Sequence, residues 1–156
     1  MATLTIREYH PESGAMLGNI SVLNFGKVVA GTHSRIKVLD VSFGGVTYVG
    51  NIKIGLISSG GLSVNPNPTD IGDDGSSSNG HFGIQHSQEF DASISSAPLS
   101  RHFAGINDDN TAGNQYNVSI ENRSDTISEY IYLDLEIGSS NLNAGNGAYK
   151  IYFDYS

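Results

Sequence analysis

The chain contains no cysteine. That excludes a disulfide scaffold, cysteine-based zinc sites, iron–sulfur clusters and thiol catalysis. It also suits folding in a reducing compartment. Nowhere do about 18 consecutive apolar residues occur, so no segment is expected to span a membrane. The opening MATLTIREYHPESG has no basic stretch leading into an apolar core, and no secretory signal is expected. Positive charge is scarce and scattered: 8 Lys and Arg stand against 16 Asp and Glu, a net charge of −8. A nucleic-acid binder needs a basic stripe to displace phosphate counterions, and none is present. The acid excess favours solubility and repels polyanions.

Catalytic signatures are missing as well. The nearest approach to a Gly-x-Ser-x-Gly elbow, Gly60-Gly61-Leu62-Ser63, lacks its glycine frame. The Gly-rich stretch 72–80 contains no lysine, so it does not match a phosphate-binding loop. The expectation is a protein that is not an enzyme.

Gly, Ser and Asn together make up about a third of the 156 residues, while long runs of Ala, Leu, Glu and Lys are lacking. Such a chain favours many short strands joined by many turns. The length suits one domain, with residues 1–17 as an N-terminal arm or first strand and 18–156 as the body.

Period-2 alternation supports this reading. Leu4 and Ile6 alternate with Thr3, Thr5 and Arg7, and Phe90, Ala92 and Ile94 with Asp91, Ser93 and Ser95. Tyr116, Val118 and Ile120 alternate with polar neighbours. From 127 to 137 the odd positions are apolar except Glu129, while Ser128, Tyr130, Tyr132, Asp134 and Glu136 hold the even ones. Tyr149, Ile151, Phe153 and Tyr155 alternate with Lys150, Tyr152 and Asp154. Each pattern predicts a half-buried antiparallel strand. The denser segment 35–57, punctuated by Gly44-Gly45 and Gly50-Asn51, predicts three strands with tight turns. The polar stretches 58–80 and 105–114 are loops, the first long enough to suggest a functional role.

Leu23, Phe25, Gly26, Val28, Gly31, Ser34 and Val38 form an L-x-F-G-x-V-x-x-G-x-x-S start, read as a strand that reaches Phe25-Gly26, runs on through Val28, turns at Gly31 and re-enters a long strand. This resembles the opening of immunoglobulin-like domains of the ASH/MSP kind, over about residues 20 to 43. It departs from them where Phe43-Gly44-Gly45 replaces their usual Asn-x-Gly. The resemblance implies an all-β, antiparallel immunoglobulin-like β-sandwich.

Two groups of side chains are candidate sites. Asp70, Asp73 and Asp74 lie in the long loop, where flexible carboxylates could take a hard cation such as calcium. They do not fit the calcium-hand spacing, and solvated turns are the competing reading. Tyr130, Tyr132 and Tyr152 occupy the polar faces of their strands and would form an exposed tyrosine platform if those strands pair. The five histidines, His10, His33, His81, His86 and His102, are read as ordinary surface or half-buried residues.

Two functions follow as expectations. The first is a virion structural protein, a capsid decoration, cement or other accessory protein of a phage particle. It would need no cofactor and would bind other structural subunits, as a homo-oligomer or on a lattice, through the N-terminal arm, strand edges and the loop 58–80. The alternative is a carbohydrate-binding or adhesin-like module that uses the tyrosine face and a calcium loop.

Overall fold

In a computed structural model, residues 1–29, 31–59, 80–96, 99, 102–103, 120–137 and 146–156 are described. The first half contributes β1 (Thr3–Tyr9), β2 (Met16–Ile20), β3 (Lys37–Gly44), β4 (Val49–Ser59) and β5 (Gly80–Ser87). A short 3-10 helix, Ala92–Ser96, follows. Then come β6 (His102–Phe103), β7 (Asn122–Ser124), β8 (Ile127–Ser128), β9 (Tyr130–Ile137) and β10 (Asn146–Tyr155). The larger sheet runs β2-β1-β3-β9-β5-β6, with β8 beside β3 and β7 beside β8; the smaller pairs β10 with β4. Every pairing is antiparallel. No helix among the described residues is long and apolar enough to cross a membrane.

The alternation in sequence accounts for the core. Ile6, Leu39, Val41, Phe43, Ile84, Ile131 and Leu133 bury one face of the larger sheet. Against them lie Val49, Ile52 and Ile120, joined by the half-buried Ile151 and Phe153 of β10. The Phe43 and Phe153 rings meet with centroids 4.6 Å apart. Backbone bonds tie the layers at the rim: Val49 N–H donates to the Asp125 carbonyl at 3.0 Å, and Ile120 N–H to that of Ile52 at 2.8 Å. The protein is all-β and antiparallel, with two sheets sharing one core, an arrangement consistent with a β-sandwich.

The opposite face of the larger sheet is buried too. Tyr9, Ile36, Val38, Leu99 and Tyr132 form a second apolar cluster, with Phe90, Ile94 and Tyr130 packed on it. The covering residues Phe90, Ile94 and Leu99 come from the segment after β5. Strand β9 therefore has core on both sides. Its even positions, expected to face water, include the fully buried Tyr132 and Asp134.

Three further expectations are corrected. Residues 90–95 do not extend a strand. Asp91 Oδ1 accepts from both the backbone N–H and the hydroxyl of Ser93, at 2.9 and 2.6 Å, and this local bonding curls the chain into the 3-10 helix. The region 35–57 holds two strands, not three. Gly50-Asn51 sits inside β4, where Asn51 takes a φ of 49° and the register against β10 shifts between Tyr152 and Asp154. That is a bulge, held by Asn51 Nδ2 donating to Asp154 Oδ2 at 2.6 Å. Residues 23–29 form no strand, because Asn24 Oδ1 captures the Gly26 N–H at 2.8 Å and competes with any ladder. Leu23 and Phe25 still pack on the main core.

Gly83 stands opposite Asp134 in the β5–β9 register. A Cβ there would lie 2.0 Å from Asp134 Oδ1 and 3.1 Å from the Leu99 Cβ. Gly83→Ala is expected to destabilise the fold by about 1–3 kcal/mol, the usual range for overpacking. Urea unfolding monitored by circular dichroism measures this; an unchanged midpoint would show that the carboxylate yields freely.

Candidate functional site

The register of β1 against β3 sets Arg7 opposite Asp40 and Tyr9 opposite Val38, so Arg7, Tyr9 and Asp40 share the second face. Asp40 is 0% exposed. Arg7 grips it with two bonds, Nε to Oδ1 at 2.7 Å and Nη2 to Oδ2 at 2.6 Å. The Tyr9 hydroxyl donates to Oδ2 at 2.9 Å, and Arg123 Nη2, arriving from β7, to the same oxygen at 2.7 Å. The Arg123 guanidinium lies 4.0 Å above the Tyr130 ring, and that ring meets Tyr9 edge-on at 5.1 Å. Bonding to Asp40 raises the Arg7 pKa above its ordinary value. Burial, and then the bond to Asp40, raises that of Tyr9. With four donors on two oxygens, Asp40 has little accepting capacity left for a substrate. It acts as an internal tie between β1, β3 and β7.

A second acid, Asp134, is also fully buried. Its Oδ2 accepts from the Leu99 N–H at 3.1 Å and faces His33 Nδ1 at 3.0 Å. Beside a carboxylate that nitrogen is the donor, which fixes the ring tautomer. His33 lines a cleft of about 710 Å3 between the end of β1, the lead-in to β3 and the 3-10 helix. Glu8 and Lys37 on its wall pair at 2.8 Å. His10 Nδ1 accepts the N–H groups of Glu12 and Ser13 at 3.2 and 3.3 Å, closing the turn after β1. A further pair joins His86 Nδ1 to the buried Glu129. Among the described residues no group of three or more His, Asp or Glu side chains could hold a metal ion.

The tyrosine platform is not assembled. β9 pairs with β3 and β5, whereas β10, which carries Tyr152, pairs with β4 in the other sheet. Tyr132 is 0% exposed, and its hydroxyl accepts the Asp91 N–H at 2.8 Å. Tyr130 is half-buried between Arg123, Tyr9 and Phe90. The expectation failed because the segment after β5 folds over that face. Asp70, Asp73 and Asp74, with nearly all of the loop 58–80, lie outside the described residues. Within residues 1–17, Thr3–Tyr9 form β1, hydrogen-bonded on both sides within the sheet, and Met16 opens β2.

The surface that sequence reasoning missed is the edge strand β2. Among the described residues it pairs with β1 alone. Met16 is 54% exposed, Leu17 59%, and Val22, just beyond the strand, 71%. Residues 13–26 carry no charge at all in a chain of net charge −8. That uncharged run was the available signal. Open edges are normally blunted by charge, proline or cover, and this one has no charge or proline along it.

Two outcomes test the buried network. Asp40→Asn removes the only counter-charge of two guanidiniums among the described residues, and should cost about 3–5 kcal/mol in denaturant unfolding. Stability should also fall as the pH rises past about 10. The Tyr9 and Tyr132 pKa values are both raised above 10.0, burial being the first cause for each. Their contribution is therefore complete below the unfolded value and is lost as the pH climbs through the folded one. Urea midpoints from pH about 9 to about 11 measure the slope, which Tyr9→Phe should flatten. Comparison with known proteins finds no matching family model, no matching curated protein and no matching solved structure.

Proposed function

We propose that the chain is a non-enzymatic structural subunit of a larger assembly, of the kind that decorates or cements a phage capsid, built on an immunoglobulin-like sandwich. The observation that carries this reading is the edge strand β2, which among the described residues pairs with β1 alone and whose exposed Met16 and Leu17 stand in an uncharged stretch. An unpaired strand edge offers backbone donors and acceptors to a neighbouring chain, and apolar side chains beside it gain from being covered. The carboxylate network supports the same reading, since Asp40 is spent on holding strands together. Cysteine-free composition, acidic charge and Gly/Ser/Asn-rich loops suit a small subunit made in a host cytoplasm and laid on a lattice.

The carbohydrate-binding alternative relied on a tyrosine face and an acidic loop. Tyr132 is buried and Tyr152 belongs to the other sheet, so that alternative lacks its platform among the described residues. Particles purified from the source of this sequence should contain the chain at a fixed ratio to the major shell protein, measured by quantitative mass spectrometry and located by electron microscopy. Recovery only as a free protein, absent from any particle, would refute the proposal.

A further inference from the structure

We propose that the outer face of the smaller sheet carries a binding site for a neutral pyranose sugar, formed by Tyr48, Asn51 and Asp154. The inference goes beyond the assembly role and does not depend on it.

The pairing of β4 with β10 brings these residues together. Tyr155 stands opposite Val49, and Asp154 opposite Gly50. Val49 is fully buried, so Gly50 and Asp154 face the other way, out of the core. Tyr48 extends the ladder: its N–H donates to the Ser156 main-chain oxygen at 3.3 Å, and its carbonyl accepts the Ser156 N–H at 3.0 Å. Lying two residues before Gly50, it shares the outward face. A Cβ on Gly50 would lie 3.1 Å from both Cε1 and the hydroxyl oxygen of Tyr48. The ring therefore leans across Gly50, next to Asp154. The bulge supplies the third group. Asn51 takes a φ of 49°, and its Nδ2 donates to Asp154 Oδ2 at 2.6 Å.

The result is one flat apolar surface with hydrogen-bonding groups at its side. Tyr48 is 53% exposed. Covering Gly50 uses one side of the ring and leaves the other in water. The negative face of an aromatic ring attracts the positive edge of a partner, and the C–H groups on one side of a pyranose present such an edge. Asn51 and Asp154 are exposed as well. Their bond engages one amide hydrogen and one carboxylate oxygen. It leaves the amide a donor and an acceptor, and the carboxylate a second acceptor. Neighbouring sugar hydroxyls, each both donor and acceptor, match that set.

Charge narrows the class. With a net charge of −8, and Asp154 in the site itself, an anionic sugar is repelled. Cation sites surround the charge with several aromatic faces, whereas among the described residues Tyr48 offers this site a single ring.

NMR titration of the isotope-labelled full chain tests the site. The probes are methyl glucoside, methyl mannoside and methyl galactoside, with glucuronate and tetramethylammonium as charged controls. At least one neutral sugar should shift the amide signals of Tyr48, Asn51 and Asp154, and neither control should. Tyr48→Ala should weaken that binding about tenfold, the worth of one aromatic contact, while Tyr48→Phe retains it. Asp154→Ala should weaken it too, and carries the test if Tyr48→Ala lowers the melting temperature. The inference is overturned if no neutral sugar shifts these three signals, if a charged control reproduces the shifts, or if binding survives both alanine variants. The assembly role is read separately, from particles, and stands or falls without this site.

Discussion

Asp40 is the constraint on which the arrangement turns. A carboxylate without solvent exposure is costly unless every lone pair is used, and here three residues supply four donors. Those donors come from β1 and β7, while Asp40 itself lies at the centre of β3. Satisfying one acid therefore fixes the register of β1 on β3 and the position of the β7–β8 hairpin beside them. It also sets Arg123 over Tyr130, which draws β9 into the same group. A pair of guanidiniums on one carboxylate gives the group an excess positive charge, and the aromatic ring accommodates part of it.

The second face of the larger sheet explains how a strongly alternating sequence comes to bury both sides of a strand. β9 presents Ile131 and Leu133 to the main core, and Tyr132 and Asp134 to the segment that follows β5. Tyrosine and aspartate can occupy such a layer because each finds a bond there. The Tyr132 hydroxyl meets a backbone N–H, and Asp134 meets the Leu99 N–H and His33. Among the described residues, the edge of that sheet at β2 pairs with β1 alone. The open side of β2, uncharged and apolar, is where the proposed assembly role finds its contact.

Much of the fold was legible in the chain. Alternation at Leu4 to Arg7, at 127–137 and at 149–155 located β1, β9 and β10, because a half-buried strand leaves a period of two whatever it packs against. The Asn51 bulge and the 3-10 helix at Asp91 were not legible as such. Gly-Asn reads equally as a turn, and Asp-x-Ser bonding competes with strand pairing only through local geometry. Of the candidate site, the chain showed the residue types and not their company. Asp40, Arg7 and Arg123 lie far apart in sequence, and no spacing rule connects them.

By itself, then, the sequence determined an all-β chain with antiparallel strands, an acidic surface and no cysteine chemistry, since these follow from composition and from a period of two. Only the tertiary structure decided which polar residues are inside and which apolar ones are out. Tyr132 and Asp134 read as solvent-facing and are buried; Met16 and Leu17 read as part of an arm and are the exposed edge of a sheet. The reason is that alternation reports two faces of a strand, while burial depends on what another segment lays across each face and on which strands stand at the sheet's rim.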